Sequence, residues 1–261
     1  MAHETIILEK RERVALITLN RPAKLNALTG EMVEELIAAI EGIGRDRDAR
    51  VLILTGAGRA FCAGGDMVEW EPACARMSGD ELREYGRHVH KMILGIHRLS
   101  IPTLAMVNGV AVGGGLEVAM ACDMRIASDN ARFIVGYTRV GAMPDMGGTW
   151  LLPRIIGVAR AAEYLFTSDP IEAEEAERIG LVNRLVPAAE LESATMELAR
   201  RIANGPALAL KLDKMHLYKG LELDLETALE FEIACTPIVV ASQDYREALA
   251  AFSEKREPRF Q

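Results

Sequence analysis

Apolar and polar residues follow first a strand-like and then a helix-like pattern at the start of the chain. Two apolar runs, at residues 5–9 and 14–19, flank a charged turn from Lys10 to Arg13, which predicts a β-hairpin. Thr29 is then followed by apolar residues at helical spacing as far as Ile40, which predicts a capped amphipathic helix.

The same alternation continues through the first half of the chain. Apolar runs at residues 51–55 and 103–107 predict buried strands, and the polar stretch 80–97 between them predicts a helix. Two further short strands are expected at residues 124–127 and 132–135.

Beyond Gly147 the pattern predicts helices almost throughout, interrupted at proline and glycine positions. Together with the strand–helix alternation of the first half, it predicts an α/β fold of stacked ββα units. We expect a core at residues 1–205 and a helical region at residues 206–261. Apolar residues on several faces of that region predict packing against a neighbouring subunit.

The stretch from Gly109 to Glu117 gives the strongest indication of chemistry. Three consecutive glycines, ending at Gly115, lie between a predicted strand and a predicted helix, where the backbone can approach a ligand closely. The Gly114 N–H falls at the helix start, where N–H groups lack internal partners and the helix dipole is positive. Glu117, three residues on, shares that helix face. A donor for a negative oxygen beside a carboxylate base predicts a site that removes a proton next to a carbonyl.

Two other interpretations of this stretch are weaker. Glycines between a strand and a helix also cradle pyrophosphate, but the spacing here is G-x-x-x-G-G-G instead of G-x-G-x-x-G. Residues 101–121 are largely apolar, but Pro102, Asn108, the glycines and Glu117 would make a poor membrane-spanning helix.

A second glycine loop, at residues 60–66, also follows a strand and leads into a helical pattern. Gly64 and Gly65 let its N–H groups face a ligand, and Asp66 is placed to cap the segment that follows. An ordinary glycine turn is the plain alternative. Paired with Gly114, however, Gly65 would supply the second donor of a two-donor oxyanion hole.

Composition narrows the classes of function. The chain has 261 residues, a formal net charge of −8 and 5% aromatic residues, so we expect an aliphatic core and no nucleic-acid surface. Cys62, Cys74, Cys122 and Cys235 show no metal-type spacing, so we expect single thiols and no metal site. No targeting or lipidation motif is visible, which predicts a soluble, cytoplasmic protein that does not enter a membrane.

Four segments carry a resemblance to one protein family. In chain order they are residues 20–28 (NRPAKLNAL), 60–66 (AFCAGGD), 107–115 (VNGVAVGGG) and 144–149 (PDMGGT). They resemble the successive motifs of the enoyl-CoA hydratase/isomerase (crotonase) family, and the tail around residues 244–255 matches as well. The resemblance covers essentially the whole chain.

This resemblance implies a crotonase-like spiral of ββα units and a C-terminal helical trimerisation region, in a homotrimer or a dimer of trimers. It implies an acyl-CoA thioester as substrate, no further cofactor, and an enolate held by the N–H groups of Gly65 and Gly114. The coenzyme A positions that it implies are Lys24, Leu25, Ala63, Asp66 and Met67, with Phe252 and Lys255 at the nucleotide end, often from a neighbouring subunit. Plain packing for Phe252 and a solvated charge for Lys255 are equally favoured.

The resemblance leaves the choice of catalytic acid open. Hydratases of the family use two glutamates; Glu117 matches the first, but Tyr137 stands at the position of the second and is expected in the substrate pocket. A phenol with a pKa near 10 is a poor partner for activating water at neutral pH. Asp145 resembles the aspartate of phenylacetate-pathway and dienoyl-CoA isomerases. A helix cap before Gly147 is its plain alternative.

His90 opens a minority alternative. Aromatic acyl-CoA dehalogenases of this family pair a histidine on the preceding helix with an aspartate at the position of Asp145, and His90 matches that histidine. Those enzymes carry tryptophan where Tyr137 stands and generally lack Glu117. Nucleophilic displacement or thioester hydrolysis is therefore less favoured.

The leading hypothesis is an enoyl-CoA hydratase/isomerase of fatty or aromatic acid breakdown, with Glu117 and Asp145 as acid/base residues. Glu117 favours hydration, whereas Asp145 and Tyr137 favour double-bond isomerisation. The alternative from another functional class is that the chain is a non-catalytic relative that binds acyl-CoA or RNA. The intact glycines at 113–115 and both carboxylates argue against lost activity, and the acidic charge argues against RNA.

Overall fold

Strands and helices alternate in the computed structural model, which describes residues 4–261 apart from the side chains of residues 71 and 73. The strands are β1 (Ile6–Arg11), β2 (Val14–Leu19), β3 (Val51–Gly56), β4 (Ala60–Cys62), β5 (Thr103–Val107), β6 (Val110–Val112), β7 (Met124–Ser128), β8 (Arg132–Ile134), β9 (Ile171–Glu172) and β10 (Arg184–Val186). The helices are α1 (Gly30–Arg45), α2 (Met67–Cys74), α3 (Gly79–Arg98), α4 (Gly114–Ala121), α5 (Gly148–Ile156), α6 (Val158–Thr167), α7 (Ala173–Arg178), α8 (Leu191–Ala203), α9 (Ala207–Gly220), α10 (Leu225–Val240) and α11 (Gln243–Glu254).

The predicted hairpin and the first predicted helix are confirmed. Strands β1 and β2 pair antiparallel. The Thr29 side chain accepts a hydrogen bond from the Met32 N–H and caps α1, which continues beyond Ile40 to Arg45. The capping residue was readable because a threonine oxygen replaces a helix-internal acceptor that the first turn lacks.

Two sheets organise the core. The larger has the order β1-β2-β3-β5-β7-β10 and the smaller the order β4-β6-β8-β9. Leu52 and Leu54 of β3 pack with α1, α3 and α4, while Val51 and Ile53 pack on the other face with α8. Because helices cover both faces of this mostly parallel sheet, its central strand reads as a continuous apolar run.

Four short strands lie where the sequence predicted loops or helices. Strands β4 and β6 fall inside the two glycine-rich stretches, and β9 and β10 lie beyond Gly147, where helices alone were expected. Each has only two or three residues, too few to show a period of two. Pairing with distant strands, which no local pattern reveals, decides their conformation.

Helices α9 to α11 follow Pro206, where the helical region was predicted to begin. Many of their large apolar side chains are exposed in the single chain, among them Leu225, Phe231 and Ile233. Lys214 and Tyr218 of α9 bind the Asp123 carboxylate of the core, at 2.8 and 2.7 Å. None of the described helices is both long and apolar enough to cross a membrane.

Candidate active site

Strands β4 and β6 bring the two glycine loops together. They pair in parallel, with Ala60 opposite Val110 and Cys62 opposite Ala111, so the residues that follow each strand emerge side by side. A Cβ atom added at Gly64 would lie 2.8 Å from the Val112 carbonyl oxygen and 3.6 Å from the Gly114 nitrogen. The loops predicted to supply two donors are therefore in contact.

The Gly65 N–H points away from Leu28, with which the residues on either side of Gly65 are hydrogen-bonded. Leu28 donates its N–H to the Gly64 carbonyl at 2.8 Å, and Asp66 donates its N–H to the Leu28 carbonyl at 2.9 Å. The C=O and N–H of one trans peptide point in opposite directions. Since the Gly64 carbonyl faces Leu28, the Gly65 N–H faces the other way.

The Gly114 N–H points out of the N-terminus of α4. Gly113 precedes it with φ +50° and ψ −121°, a conformation that favours glycine, and the Gly113 carbonyl accepts the Glu117 N–H at 3.0 Å. Because that carbonyl points along the helix, the Gly114 N–H points outward. Within residues 4–261 neither Gly65 nor Gly114 donates its N–H to a backbone carbonyl.

Glu117 is a buried carboxylate with two neutral donors. Its side chain is only 2% exposed. Oε1 accepts the Gly148 N–H at 2.6 Å, at the first residue of α5, and Oε2 accepts a very short hydrogen bond from the Tyr137 hydroxyl. Burial raises the pKa of Glu117 from 4.5 to about 7, although the bonds from Tyr137 and Gly148 favour the charged form. This carboxyl is therefore suited to both giving and accepting a proton at neutral pH.

Tyr137 lies between Glu117 and Asp145. Its hydroxyl also lies 3.4 Å from Oδ1 of Asp145, which is exposed. Burial and the nearby charge of Glu117 raise the pKa of the phenol far above 10, so Tyr137 is a neutral donor. The structure thus joins Glu117, Tyr137 and Asp145 in one polar cluster.

The alternative reading of Asp145 as a helix cap is wrong. The N-cap of α5 is Gly147, at φ +100°, and it has no side-chain capping bond. The first N–H of α5, that of Gly148, is instead satisfied by Glu117 from another helix. A Cβ atom at Gly148 would collide with that carboxylate, so only glycine allows the approach.

His90 contacts the main chain of the Asp145 loop. Its Nε2–H donates to the Asp145 carbonyl oxygen at 2.6 Å. Nε2 of His90 is therefore hydrogen-bonded to the main chain, whereas the Asp145 carboxylate lies next to the Tyr137 hydroxyl. This contact holds the loop, and it leaves His90 without the carboxylate pairing that the dehalogenase alternative requires.

The first group of expected coenzyme A positions lies on two segments, residues 24–25 and 63–67, that are hydrogen-bonded to each other. Ala63 donates its N–H to the Leu25 carbonyl at 3.0 Å. Lys24, which precedes Leu25, has an exposed side chain. Asp66 accepts the Val68 N–H at 3.2 Å, which confirms the predicted cap. Met67 follows and is 57% exposed.

Further contacts hold this segment in place. Arg21 forms a salt bridge with Asp66 at 3.0 Å, and the fully buried Asn26 donates to the Ala57 and Ala60 carbonyls at 2.9 and 2.8 Å. Sequence reasoning missed the roles of Arg21 and Asn26. The only available signal was that both residues lie inside the motif at residues 20–28.

Within residues 4–261, no hydrogen bond or ion pair joins Phe252 or Lys255 to the other expected coenzyme A positions. Phe252 is 85% exposed. The chain end lies near the amino ends of β2 and β3, because Arg50 donates to the Gln261 carbonyl at 2.7 Å and Arg13 to the Phe260 carbonyl at 3.5 Å. The two glycine loops follow the carboxyl ends of β4 and β6. A contribution from a neighbouring subunit stays a prediction.

The cysteines are single thiols, as predicted; Cys62 and Cys122 are buried, and Cys74 and Cys235 are partly buried. Within residues 4–261, no group of three or more His, Cys, Asp or Glu side chains is arranged to hold a metal ion.

Comparison with known proteins gives consistent matches. Residues 9–261 match the family model described as Enoyl-CoA hydratase/isomerase. The chain is 40% identical over 257 residues to the short-chain-enoyl-CoA hydratase of Clostridium acetobutylicum, covering 98% of this chain and 97% of that one. It is 35% identical over 257 residues to the 1,2-epoxyphenylacetyl-CoA isomerase of Escherichia coli, covering 98% of both. The crystal structure of enoyl-CoA hydratase from Bacillus anthracis superposes with a TM-score of 0.93 at 37% identity, covering 98% of this chain and 99% of that one.

Proposed function

The chain belongs to the enoyl-CoA hydratase/isomerase family, and from this membership we propose that its site moves a proton along the acyl chain of a coenzyme A thioester. The crotonase fold and the enzyme class predicted from the sequence are confirmed by the family match and the solved relatives. Within that class, the geometry best supports isomerisation of a 3-enoyl to a 2-enoyl thioester.

The reaction begins at the carbon next to the thioester carbonyl. The N–H groups of Gly65 and Gly114 bind the carbonyl oxygen and stabilise the negative charge that develops when a proton leaves C2. Glu117 lies one helical turn from Gly114 and takes that proton as its carboxylate. The resulting dienolate carries charge at C4 as well as on oxygen.

Asp145 then delivers a proton to C4 and completes the shift of the double bond. The observation that carries this proposal is the pair of unlike carboxyls joined by Tyr137: a buried Glu117 with a pKa of about 7 and an exposed Asp145. Two carboxyls in unlike environments, one buried and one open to solvent, are a recurrent basis for acid/base catalysis.

Hydration of a 2-enoyl thioester is the second candidate. The relative from Clostridium acetobutylicum is named a hydratase, and the intact Glu117 is available to orient water. Tyr137 weighs against this reaction, because a neutral phenol with a raised pKa cannot act as the second carboxylate.

The substrate and assembly follow from the same resemblance. We expect coenzyme A along Lys24, Leu25, Ala63, Asp66 and Met67. Phe252 and Lys255 would reach the nucleotide end from a neighbouring subunit, which requires a trimer or a dimer of trimers. The apolar side chains exposed on α9 to α11 support such an assembly. We also expect no cofactor besides the coenzyme A of the substrate, and a cytoplasmic location.

A panel of 2-enoyl-, 3-enoyl-, dienoyl- and aryl-CoA thioesters, with products identified by mass and NMR, tests the proposal. We expect conversion of the 3-enoyl thioester, and a loss of roughly a hundredfold or more in kcat for Asp145→Asn. Asp80→Asn, on the exposed start of α3, is the matched control and should match the wild type. Full isomerase activity in Asp145→Asn would remove Asp145 from the mechanism, and hydration alone by the wild type would favour the second candidate.

A further inference from the structure

The two proposed acid/base groups have opposite access to water. Glu117 is 2% exposed even without a substrate in the site, whereas Asp145 is exposed. After Glu117 has taken a proton from C2, that proton must leave a group which solvent barely reaches. Asp145, meanwhile, must obtain a proton to deliver to C4.

The hydroxyl of Tyr137 is the described side-chain group that contacts both carboxyls. It donates to Oε2 of Glu117 and lies 3.4 Å from Oδ1 of Asp145. The other hydrogen-bond partners of Glu117 are the backbone N–H groups of Gly148 and Met146, which cannot release their protons to a carboxylate. The Nε2–H of His90 is directed to the Asp145 carbonyl instead of either carboxylate.

We propose that the Tyr137 hydroxyl relays a proton from Glu117 to Asp145 in each turnover, accepting the proton of Glu117 while it gives its own proton to Asp145. This inference rests on the proposed isomerisation. It assigns Tyr137 a role in proton transfer in place of the pocket-lining role expected from the sequence.

The transfer balances at every atom. The O–H bond of protonated Glu117 breaks as its proton bonds to the phenol oxygen, and the original phenol O–H bond breaks as that proton bonds to Oδ1 of Asp145. Tyr137 is neutral before and after. Asp145 then gives its proton to C4 of the dienolate, so both carboxylates are charged again and no other reactant is needed.

The arrangement also fixes how the transfer proceeds. Burial and the charge of Glu117 disfavour a free phenolate at Tyr137, so the two proton movements have to occur together. The contact to Asp145 is longer than the contact to Glu117. Catalytic hydrogen bonds are often long in the absence of substrate and tighten when it is bound, so the relay requires this contact to shorten in the complex.

The test follows deuterium from C2 to C4. A 3-hexenoyl-CoA carrying deuterium at C2 is converted at saturating concentration over many turnovers in ordinary water, and the 2-hexenoyl product is analysed by NMR for deuterium at C4. Deuterium that reaches the Tyr137 hydroxyl in one turnover is delivered through Asp145 to C4 of the next substrate molecule. We expect the wild type to carry a measurable fraction of the label. Tyr137→Phe keeps the ring and removes the hydroxyl, so we expect both the carried fraction and kcat to fall at least about tenfold. Tyr245→Phe, which removes an exposed hydroxyl on α11, is the matched control.

The outcomes separate the two proposals. If the wild type does not isomerise the 3-enoyl thioester, the proposed function fails. If it isomerises but carries no deuterium, or if Tyr137→Phe carries the same fraction, the relay alone is overturned. Thermal melting checks that Tyr137→Phe is folded. If Tyr137→Phe is unfolded, Tyr137→Met replaces it, because it also removes the hydroxyl. The same outcomes then decide whether the relay holds.

Discussion

The polar groups at the two ends of helix α4 differ in the partners that the protein gives them. At the N-terminus, the Gly114 N–H has no backbone acceptor within residues 4–261, and Glu117 is buried with neutral donors alone. At the C-terminus, the Arg125 guanidinium donates to the Cys122 carbonyl at 2.8 Å, and Asp123 is paired with the Lys214 ammonium at 2.8 Å.

This difference separates stability from chemistry within one short helix. Polar groups that the protein satisfies itself hold the core and the C-terminal helices together. A donor left open and a carboxyl without a cation cost stability but remain available to a ligand. The N-terminal end is therefore the reactive end, and the C-terminal end is the anchor.

The largest expected effect is at the reactive end. Glu117→Gln keeps the shape of the side chain and its bond to the Gly148 N–H but cannot take a proton. We expect isomerisation to fall by roughly a thousandfold in kcat, within the usual range for an acid/base residue. The unfolding midpoint in urea should not decrease, because the variant no longer buries a carboxyl. Unchanged turnover would exclude Glu117 as the base.

The next effect concerns the open donor. Gly114→Pro removes the N–H at the first position of α4, where proline is tolerated, and Gly114→Ala adds the same Cβ atom but keeps the N–H. We expect kcat to be at least about a hundredfold lower for the proline variant than for the alanine variant. Equal rates in steady-state assays would mean that the Gly114 N–H does not hold the substrate oxygen.

A smaller effect, on stability instead of rate, is expected at the anchor. Asp123→Asn leaves the largely buried Lys214 without its charge partner, so we expect a loss of about 3 kcal/mol in the free energy of unfolding. The rate per folded molecule should be nearly unchanged. Glu222→Gln, which breaks the exposed pair with Lys219, is the control and should cost less than about 0.5 kcal/mol. A rate loss in Asp123→Asn as large as that of Glu117→Gln would abolish the distinction between the two ends.

The sequence predicted the parts of the fold that local chemistry determines. The hairpin, the Thr29 cap and the buried central strands follow from residue types a few positions apart. The short strands β4 and β6 could not be predicted in this way, because their pairing depends on residues some fifty positions away in the chain. The candidate site divides in the same way.

Gly114 and Glu117 were readable because they lie one helical turn apart. The bond from Gly148 to Glu117 was not, since it joins two helices that only the tertiary fold brings together. For the same reason a helix cap stayed open as the plain alternative for Asp145. The expected role of Phe252 and Lys255 depends on a neighbouring subunit, which no pattern of nearby residues reveals.

The most direct measurement is the titration of Glu117 itself. With ¹³C-labelled glutamate, the side-chain carboxyl signal that disappears in Glu117→Gln identifies this residue, and its shift is followed across pH in the intact protein. The groups that face it are the Tyr137 hydroxyl, the Asp145 carboxylate and the N–H groups of Gly148 and Met146. Burial predicts an apparent pKa of about 7. A midpoint near the ordinary value of 4.5 would contradict the assignment of Glu117 as the carboxyl that takes a proton from the substrate and passes it on at neutral pH.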